Sequence, residues 1–514
     1  MRPYRCYAWS MAMHTEPDLL TRRTSPDAPV ASTGFAERYW PAGLWLWPGL
    51  AGTTLAALWI GRPQLDTDEL VTWDVARRSF GQIMATSQNV DAVHTTYYLL
   101  MHAWITVFGD SAAALRAPSA LAAGATAAFV ALIGKRLFST RAGLSAGFLF
   151  ALIPSVSRYG QEARSYALVT CAATCGTLLL LRALDKPGAP ARWAAYTGCL
   201  VMTGLLHLLA LFVLGGHAVT VIAARRRGDR PALWAFMLAT AVAVACLIPL
   251  ALSGSAQQER QLFWIPRPGI FGLSTLWPSL FTSGVCAGGV IALALLAQRG
   301  VPLARATCWT LILLPALSLW AVSFVTTVSY FRLQYLLFTL PAAAVLAGAG
   351  LARFTSSTRA TAACLAALTL LLVPDQIALR AQFAHQEPQD TDYAAAARTI
   401  IKYYAPGDAV VYVRGLPWML DQGVQYYLPR SMHMREIFRT ATAAENHELY
   451  PLYCPVPARC IGPERRVWLV VAGNAPDPLE SVPANWAQAL RAVYTDSGTE
   501  RPNGITVALL RRKS

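Results

Sequence analysis

Between Pro41 and Pro374 the chain repeats one pattern, a long apolar stretch followed by a short polar or Arg-rich turn. A helix rises ~1.5 Å per residue, so about 20 apolar residues cross the hydrocarbon core of a bilayer. Many such stretches in one chain exclude an ordinary soluble globule. Candidate spans lie at 42–60, 113–134, 142–157, 166–184, 193–207, 209–224, 231–252, 280–298, 306–327, 335–352 and 360–378. The chain therefore reads as a polytopic α-helical membrane protein with about 11 transmembrane helices. A hydrophobic content of 55% with only 14% charged residues agrees with this reading.

The net charge of +15 does not point to nucleic acid, because the basic residues stand in short clusters between spans. Lys135, Arg136 and Arg141; Arg182, Lys186 and Arg192; Arg225, Arg226, Arg227 and Arg230; Arg299 and Arg305; Arg353 and Arg359 fall in alternate loops. The positive-inside rule makes that side cytoplasmic. Residues 1–41, polar and Arg-containing without a cleavable signal, read as a disordered cytoplasmic tail. Of ten acids between Pro41 and Pro374, eight fall in the opposite loops: Asp66, Asp68, Glu69, Asp74, Asp91, Asp110, Glu162 and Glu259. The chemistry is expected outside.

The segment from Trp73 to Phe108 is too long for a turn and predicts juxtamembrane helices in the first outer loop; a spanning pair is the alternative. Residues 42–380 form the transmembrane domain in this reading. From 381 to 514 charge rises and long apolar runs stop. A helix over Asp392–Tyr404 and strands over Asp408–Arg414, Val467–Ala472 and Ile505–Arg511 predict an extracytoplasmic α/β domain. Seven of the ten cysteines lie in apolar helices as small buried hydrophobes. Cys454 and Cys460 can pair if their domain is outside. No Cys or His spacing resembles a metal site.

Three acids crowd into Asp66, Thr67, Asp68 and Glu69 at a membrane boundary, where ionisable groups are costly to hold and mark function by default. A solvated loop is the plain alternative. Asp68 has two acidic neighbours and no basic residue within five positions, so repulsion should raise the proton affinity of the group. Other outer loops supply His94, Tyr97 and Tyr98; Glu162, Arg164 and Tyr166; and Tyr330, Arg332 and Tyr335. A carboxylate facing Arg and Tyr suits group transfer from a lipid phosphate. The phosphate is a weak base, so it leaves with help from positive charge, and one base suffices to activate an acceptor hydroxyl.

These strings carry a resemblance. An Asp-Glu pair after the first helix, His94 to Tyr98 running into Trp104 and Phe108-Gly109, Leu115-Arg116 with Ser119, Gln161 to Tyr166, and Tyr330 to Tyr335 leading into Leu340-Pro341 resemble bacterial members of the protein O-mannosyltransferase clan. These are GT-C glycosyltransferases similar to the lipid A aminoarabinose transferases. The resemblance covers roughly residues 42–352. It implies a sugar transferred from a polyprenyl-phosphate donor, mannose or a related monosaccharide, to an extracytoplasmic glycan, lipid or protein with inversion at the anomeric carbon. It casts Asp68 as catalytic base with Glu69 beside it, Glu162 as a second acid, and His94, Tyr97, Arg164, Tyr166 and Arg332 as donor-phosphate or substrate contacts. No cofactor follows from it, and a divalent cation stays open. The family's usual His-Pro-Pro-x-Tyr is here His94, Thr95, Thr96 and Tyr97, and Asp66 competes with Asp68 as base.

Plainer readings stand beside these. Tyr159, Trp264 and Tyr335 suit interfacial anchors, His207 and His217 suit packing, and Glu162 with Arg164 suits a simple ion pair. A transporter or lipid flippase is the alternative function, but such proteins place polar residues near the bilayer midplane on broken helices, often in repeated halves. Here the acids sit in loops and no repeat is evident.

Overall fold

In the computed structural model, residues 43–225, 230–297, 302–385, 391–415 and 419–514 are described. The expected tail, Arg226, Arg227, Asp229 and Arg299 lie outside them. From Trp45 to Ser514 the chain forms one compact unit.

The helical part runs α1 (Leu46–Ala57), α2 (Thr67–Ala76), α3 (Phe80–Asn89), α4 (Thr95–Phe108), α5 (Ala112–Leu137), α6 (Thr140–Leu152), α7 (Pro154–Gly160), α8 (Tyr166–Asp185), α9 (Pro190–Leu206), α10 (Val213–Arg225), α11 (Arg230–Leu262), α12 (Gly272–Phe281), α13 (Gly284–Leu296), α14 (Pro302–Val325), α15 (Leu340–Phe354) and α16 (Thr358–Ala378). Every expected span has a helical counterpart. Among the described residues, however, six helical segments are long and apolar enough to cross a membrane, or seven if the α12–α13 pair, bent by 101°, is one span. Helices α1, α6 and α10 have only 12 or 13 residues, about 20 Å at helical rise. The segment expected to lie along the interface forms α2, α3 and α4, none of which passes as a span.

Local chemistry explains the breaks. The expected continuous helix 142–157 stops at Ile153, whose backbone is extended (ψ 122°) before Pro154. Proline removes a donor and pushes the preceding residue out of the helical region. The chain restarts as α7, whose Arg158 reaches the α2 acid Asp66. Helices α6 and α15 approach closely at Gly348, where a Cβ would stand 2.5 Å from the Ala142 carbonyl. Small residues at such crossings bring backbones into van der Waals contact.

The loops sort into two ends. Arg136 pairs with Asp185, Arg192 bonds the Arg182 carbonyl, and Arg141 bonds the carbonyls of Ala352 and Thr355. The basic loops after α5, α8 and α15 therefore share one end of the bundle. The loops bearing Asp66, His94, Glu162, His207 and Tyr335 meet at the other.

Beyond α16, helix α17 (Tyr393–Tyr403) leads into strands β1 (Ala409–Val413), β2 (Arg435–Glu436), β3 (Arg439–Ala441), β4 (Leu452–Tyr453), β5 (Arg466–Ala472), β6 (Tyr494–Glu500) and β7 (Ile505–Arg512), with helices α18 (Leu420–Tyr427), α19 (Pro457–Cys460) and α20 (Ala484–Val493) between them. Five strands form one sheet in the order β2-β1-β5-β7-β6. Strand β1 is parallel to β2 and β5, and β7 is antiparallel to β5 and β6. Alternation puts Val410, Tyr412, Trp468 and Val470 into the same apolar core as the helical bundle. Val411, Val413, Leu469 and Val471 face the other way, onto α20. Strand β6, which sequence patterning misses, carries a mostly exposed run, Thr-Asp-Ser-Gly-Thr. Cys454 and Cys460 are joined by a disulfide, and the seven described free cysteines lie in helices.

The crossing at Gly348 makes a test. Gly348→Leu should lower the melting temperature of the detergent-solubilised protein, because overpacking costs about 1–3 kcal/mol or more. Gly198→Ala on α9, where a new Cβ meets nothing within 4 Å, should leave it unchanged or raise it.

Candidate active site

Helix α2 starts with a capping box. Asp66 Oδ1 accepts the Glu69 N–H (2.9 Å), and Glu69 Oε2 accepts the Asp66 N–H (3.1 Å). Glu69 does more than cap. Its Oε2 also accepts Arg116 Nη2 (2.6 Å), and its Oε1 accepts Arg116 Nε (2.7 Å) and the Ala163 N–H (2.8 Å). Both side chains of this pair are fully buried. The remaining Arg116 donors reach the carbonyls of Ile60, Pro63 and Gln64. Burial alone would raise the Glu69 pKa, but Arg116 overrides it and holds the carboxyl below its ordinary value.

Asp66 and Glu162 share one cation. Arg158 Nη1 donates to Glu162 (2.7 Å) and Nη2 lies 3.3 Å from Asp66. Burial, with like charge from Glu69, pushes the Asp66 carboxyl up to about 7; burial, more than Arg158 can offset, pushes Glu162 up to about 8. The proton affinity expected of the acid cluster as a whole is thus split, raised at Asp66 and lowered at Glu69. Burial does the first and Arg116, far from the cluster in sequence, does the second.

Asp68 differs from its neighbours. Its side chain is 45% exposed, against 12% for Asp66 and none for Glu69, and its nearest cation is Arg164 Nε at 3.7 Å. Arg164 also donates to the Tyr98 hydroxyl (3.3 Å) and to His94 Nε2 (3.2 Å). Glu162 and Arg164 therefore do not pair with each other: Glu162 takes Arg158, while Arg164 turns toward Asp68. Burial and the Arg164 charge hold the His94 imidazole well below its ordinary pKa. It stays neutral and can accept from Arg164. Tyr98 in turn donates to Asp91 (2.6 Å), which also accepts from Gln261 (3.2 Å). His94 reaches Arg164 although threonines follow it where prolines are usual.

The Gln161–Ser165 turn is fastened at several points. Gln161 donates to the carbonyls of Ala56 and Leu58. The Ser119 hydroxyl bonds the Glu162 carbonyl, and the Thr72 hydroxyl bonds that of Ala163. Tyr166 packs against Tyr159, His207 and Tyr335, and the His207 and Tyr335 rings are 4.7 Å apart. His207 is thus part of the site wall, with its pKa lowered to about 4 by burial and Arg164. The Tyr97 hydroxyl is buried without a partner. Arg332 lies over the Trp264 ring at 5.0 Å. The structure thus brings Asp68, His94, Arg164 and Tyr98 into one cluster beside the Asp66–Arg158–Glu162 group. No group of three His, Cys, Asp or Glu suited to a metal ion occurs among the described residues.

Sequence reasoning passed over Arg158, quoted Arg116 only as part of the Leu115-Arg116 string, and read His207 as a packing group. Arg116 stands within an apolar helix, itself a signal, and Arg158 precedes Glu162 by four residues, the spacing of a helical ion pair.

The pH dependence of stability tests the balance at Glu162. A carboxyl raised from 4.5 to about 8 contributes stability below its unfolded pKa and loses it as pH rises through the folded value. Between pH 5 and 8.5 the melting temperature of wild type should therefore fall relative to that of Glu162→Gln. A rise would show that Arg158 outweighs burial.

Residues 95–252 match the model of the dolichyl-phosphate-mannose-protein mannosyltransferase family. That stretch holds Glu162, Arg164 and Tyr166 but neither Asp68 nor Arg332. A search of curated proteins finds no match. Among solved structures, ArnT from Cupriavidus metallidurans in the apo state aligns with a TM-score of 0.58 at 13% identity, covering 91% of this chain and 97% of that one. The same protein bound to undecaprenyl phosphate aligns at 0.60 and 14%, with the same coverage. The matched segment lies inside a fold that the chain shares with ArnT, the polytopic helical GT-C fold with a C-terminal sheet.

Proposed function

We propose that the protein transfers a monosaccharide, mannose or a related sugar, from a polyprenyl-phosphate donor to an extracytoplasmic glycan, lipid or protein. The observation that carries this reading is Asp68, a carboxylate left open beside Arg164 while Asp66, Glu69 and Glu162 are buried in ion pairs. The acceptor oxygen attacks the anomeric carbon as the bond from that carbon to the phosphate oxygen breaks. Asp68 takes the acceptor's proton, the phosphate leaves with the electron pair, and direct attack inverts the configuration. The phosphate needs charge more than a proton, which Arg164 and Arg332 supply, with His94 and Tyr166 lining the approach. Undecaprenyl phosphate in the ArnT structure supports a lipid-phosphate donor. Glu69 and Glu162 act from behind, through Arg116 and Arg158, and Tyr97 offers a free hydroxyl.

Asp68→Asn keeps size and hydrogen bonding but cannot take the proton. Turnover should fall by roughly 100-fold or more with donor binding nearly unchanged. Arg332→Ala should weaken donor binding as well as turnover, since a charge-assisted contact is lost in ground and transition states alike. Radiolabelled polyprenyl-phosphate sugars with purified protein and a membrane extract give both readings. Near-normal transfer by Asp68→Asn would move the assignment to Asp66.

The reading also requires the site end of the bundle to be extracytoplasmic. Gly81, exposed on α3 with nothing within 4 Å of an added Cβ, is a suitable reporter. Gly81→Cys should react with an impermeant thiol reagent in intact cells, and labelling confined to lysed cells would contradict that orientation.

A further inference from the structure

Among the described residues no hydrogen bond reaches the Asp68 carboxylate, whose nearest cation is Arg164 at 3.7 Å, so its place is set by the backbone of the first turn of α2. Glu69 and Arg116 fix that turn from below. From the other side it is fixed by residues that follow the last apolar helix. The Gln64 N–H donates to the Gln382 carbonyl (2.8 Å), and the Gln64 side-chain amide donates to Asp392 (3.2 Å). Asp392 is itself the N-cap of α17, accepting the Ala395 N–H at 2.8 Å with the same Oδ1. The Tyr393 hydroxyl meets the Thr67 side chain, and the Tyr427 hydroxyl meets the Leu65 backbone.

These are buried contacts. Gln64, Leu65 and Tyr393 are each less than 5% exposed. Tyr393 is wedged over Gly423, where any Cβ would come within 2.6 Å of the ring. Further along α2, Trp73 meets Tyr426 edge to face at 5.4 Å and bonds Asp110, which pairs with Arg430. The contacts of α17 gather on Gln64 and Thr67, the residues flanking Leu65 and Asp66, while α18 holds the far end of the same helix.

We propose that the C-terminal domain is a positioning device for the Asp68 carboxylate, with Asp392 and Tyr393 setting the first turn of α2 through Gln64 and Thr67. The inference rests on the reading of Asp68 as base. Asp392 and Tyr393 are positioning residues, since they act through the α2 backbone and touch no substrate. A proton acceptor must sit within hydrogen-bond reach of its target, and a misplacement of about 1 Å can cost on the order of 100-fold. A smaller shift, from loss of one hydroxyl contact, should show in kcat while donor contacts on other loops persist.

The test uses full-length protein and a polyprenyl-phosphate sugar that supports wild-type turnover. Tyr393→Phe keeps the wedged ring and removes the hydroxyl; Thr67→Val removes its partner; Gln64→Met breaks the Asp392 contact without using either. Each should lower kcat by roughly tenfold, with KM for the donor and the melting temperature unchanged. Tyr393→Phe combined with Thr67→Val should be no worse than the worse single variant, because both remove one contact. Wild-type kcat in Tyr393→Phe and Gln64→Met, alongside an inactive Asp68→Asn, would overturn the positioning role and leave the base in place. Additive losses in the double variant would overturn it too. Active Asp68→Asn would instead remove the base assignment and the inference with it.

Discussion

The buried pair of Glu69 and Arg116 is the constraint on which the rest of the site depends. Two charges without solvent are tolerable only when geometry is good and every remaining donor and acceptor is used. That condition is met here: Glu69 takes four hydrogen bonds, and Arg116 adds three backbone carbonyls. Breaking such a pair from one side leaves an unpaired buried charge, a loss of about 3–5 kcal/mol. The pair thereby ties together the start of α2, the first turns of α5, the turn after α1, and the Ala163 backbone.

From that knot follows a division of labour among neighbouring acids. Glu69 cannot leave its ionised, bonded state, so it holds shape. Asp66 caps the helix with one oxygen and faces Arg158 with the other. Capping forces the next two side chains out of the helix start in fixed directions, and Asp68 is the one that points to open space beside Arg164. One turn of helix thus places three carboxylates in three environments. This arrangement favours a single residue as the proton acceptor over a cluster acting jointly.

Much of this was legible in the sequence. Hydropathy located the helices, and the charge of the loops sorted them into two ends. The Asp-Glu pair, His94 and the Gln161–Tyr166 string all converge in the structure. What was illegible depends on contacts between distant segments. Nothing within five residues of Asp68 is basic, yet Arg116, Arg158 and Arg164 surround the cluster in space. A two-residue spacing suggested pairing of Glu162 with Arg164, but Arg164 faces Asp68, and Arg158, four residues earlier on α7, reaches Glu162 instead. His207 packs as expected, but its partners, Tyr166 and Tyr335, come from segments over 40 and 120 residues away, so its place in the site wall was not legible. Span length misled as well: apolar stretches merge with turns in sequence, whereas Pro154 and the bend between α12 and α13 cut them in the fold.

The C-terminal domain shows why an apolar core matters to a site it does not line. One face of its sheet, with α17 and α18, belongs to the same buried cluster as the helical bundle, so the domain is not a bead on a linker. A face buried in a shared core cannot slide without opening apolar surface at about 25 cal/mol per Å². Polar contacts such as those between Gln64 and Asp392 and between Arg430 and Asp110 then fix orientation, although the second, from an exposed arginine, contributes little alone. Rigid seating by apolar burial, with direction set by a few hydrogen bonds, is how a neighbouring domain can hold the first turn of α2 in place.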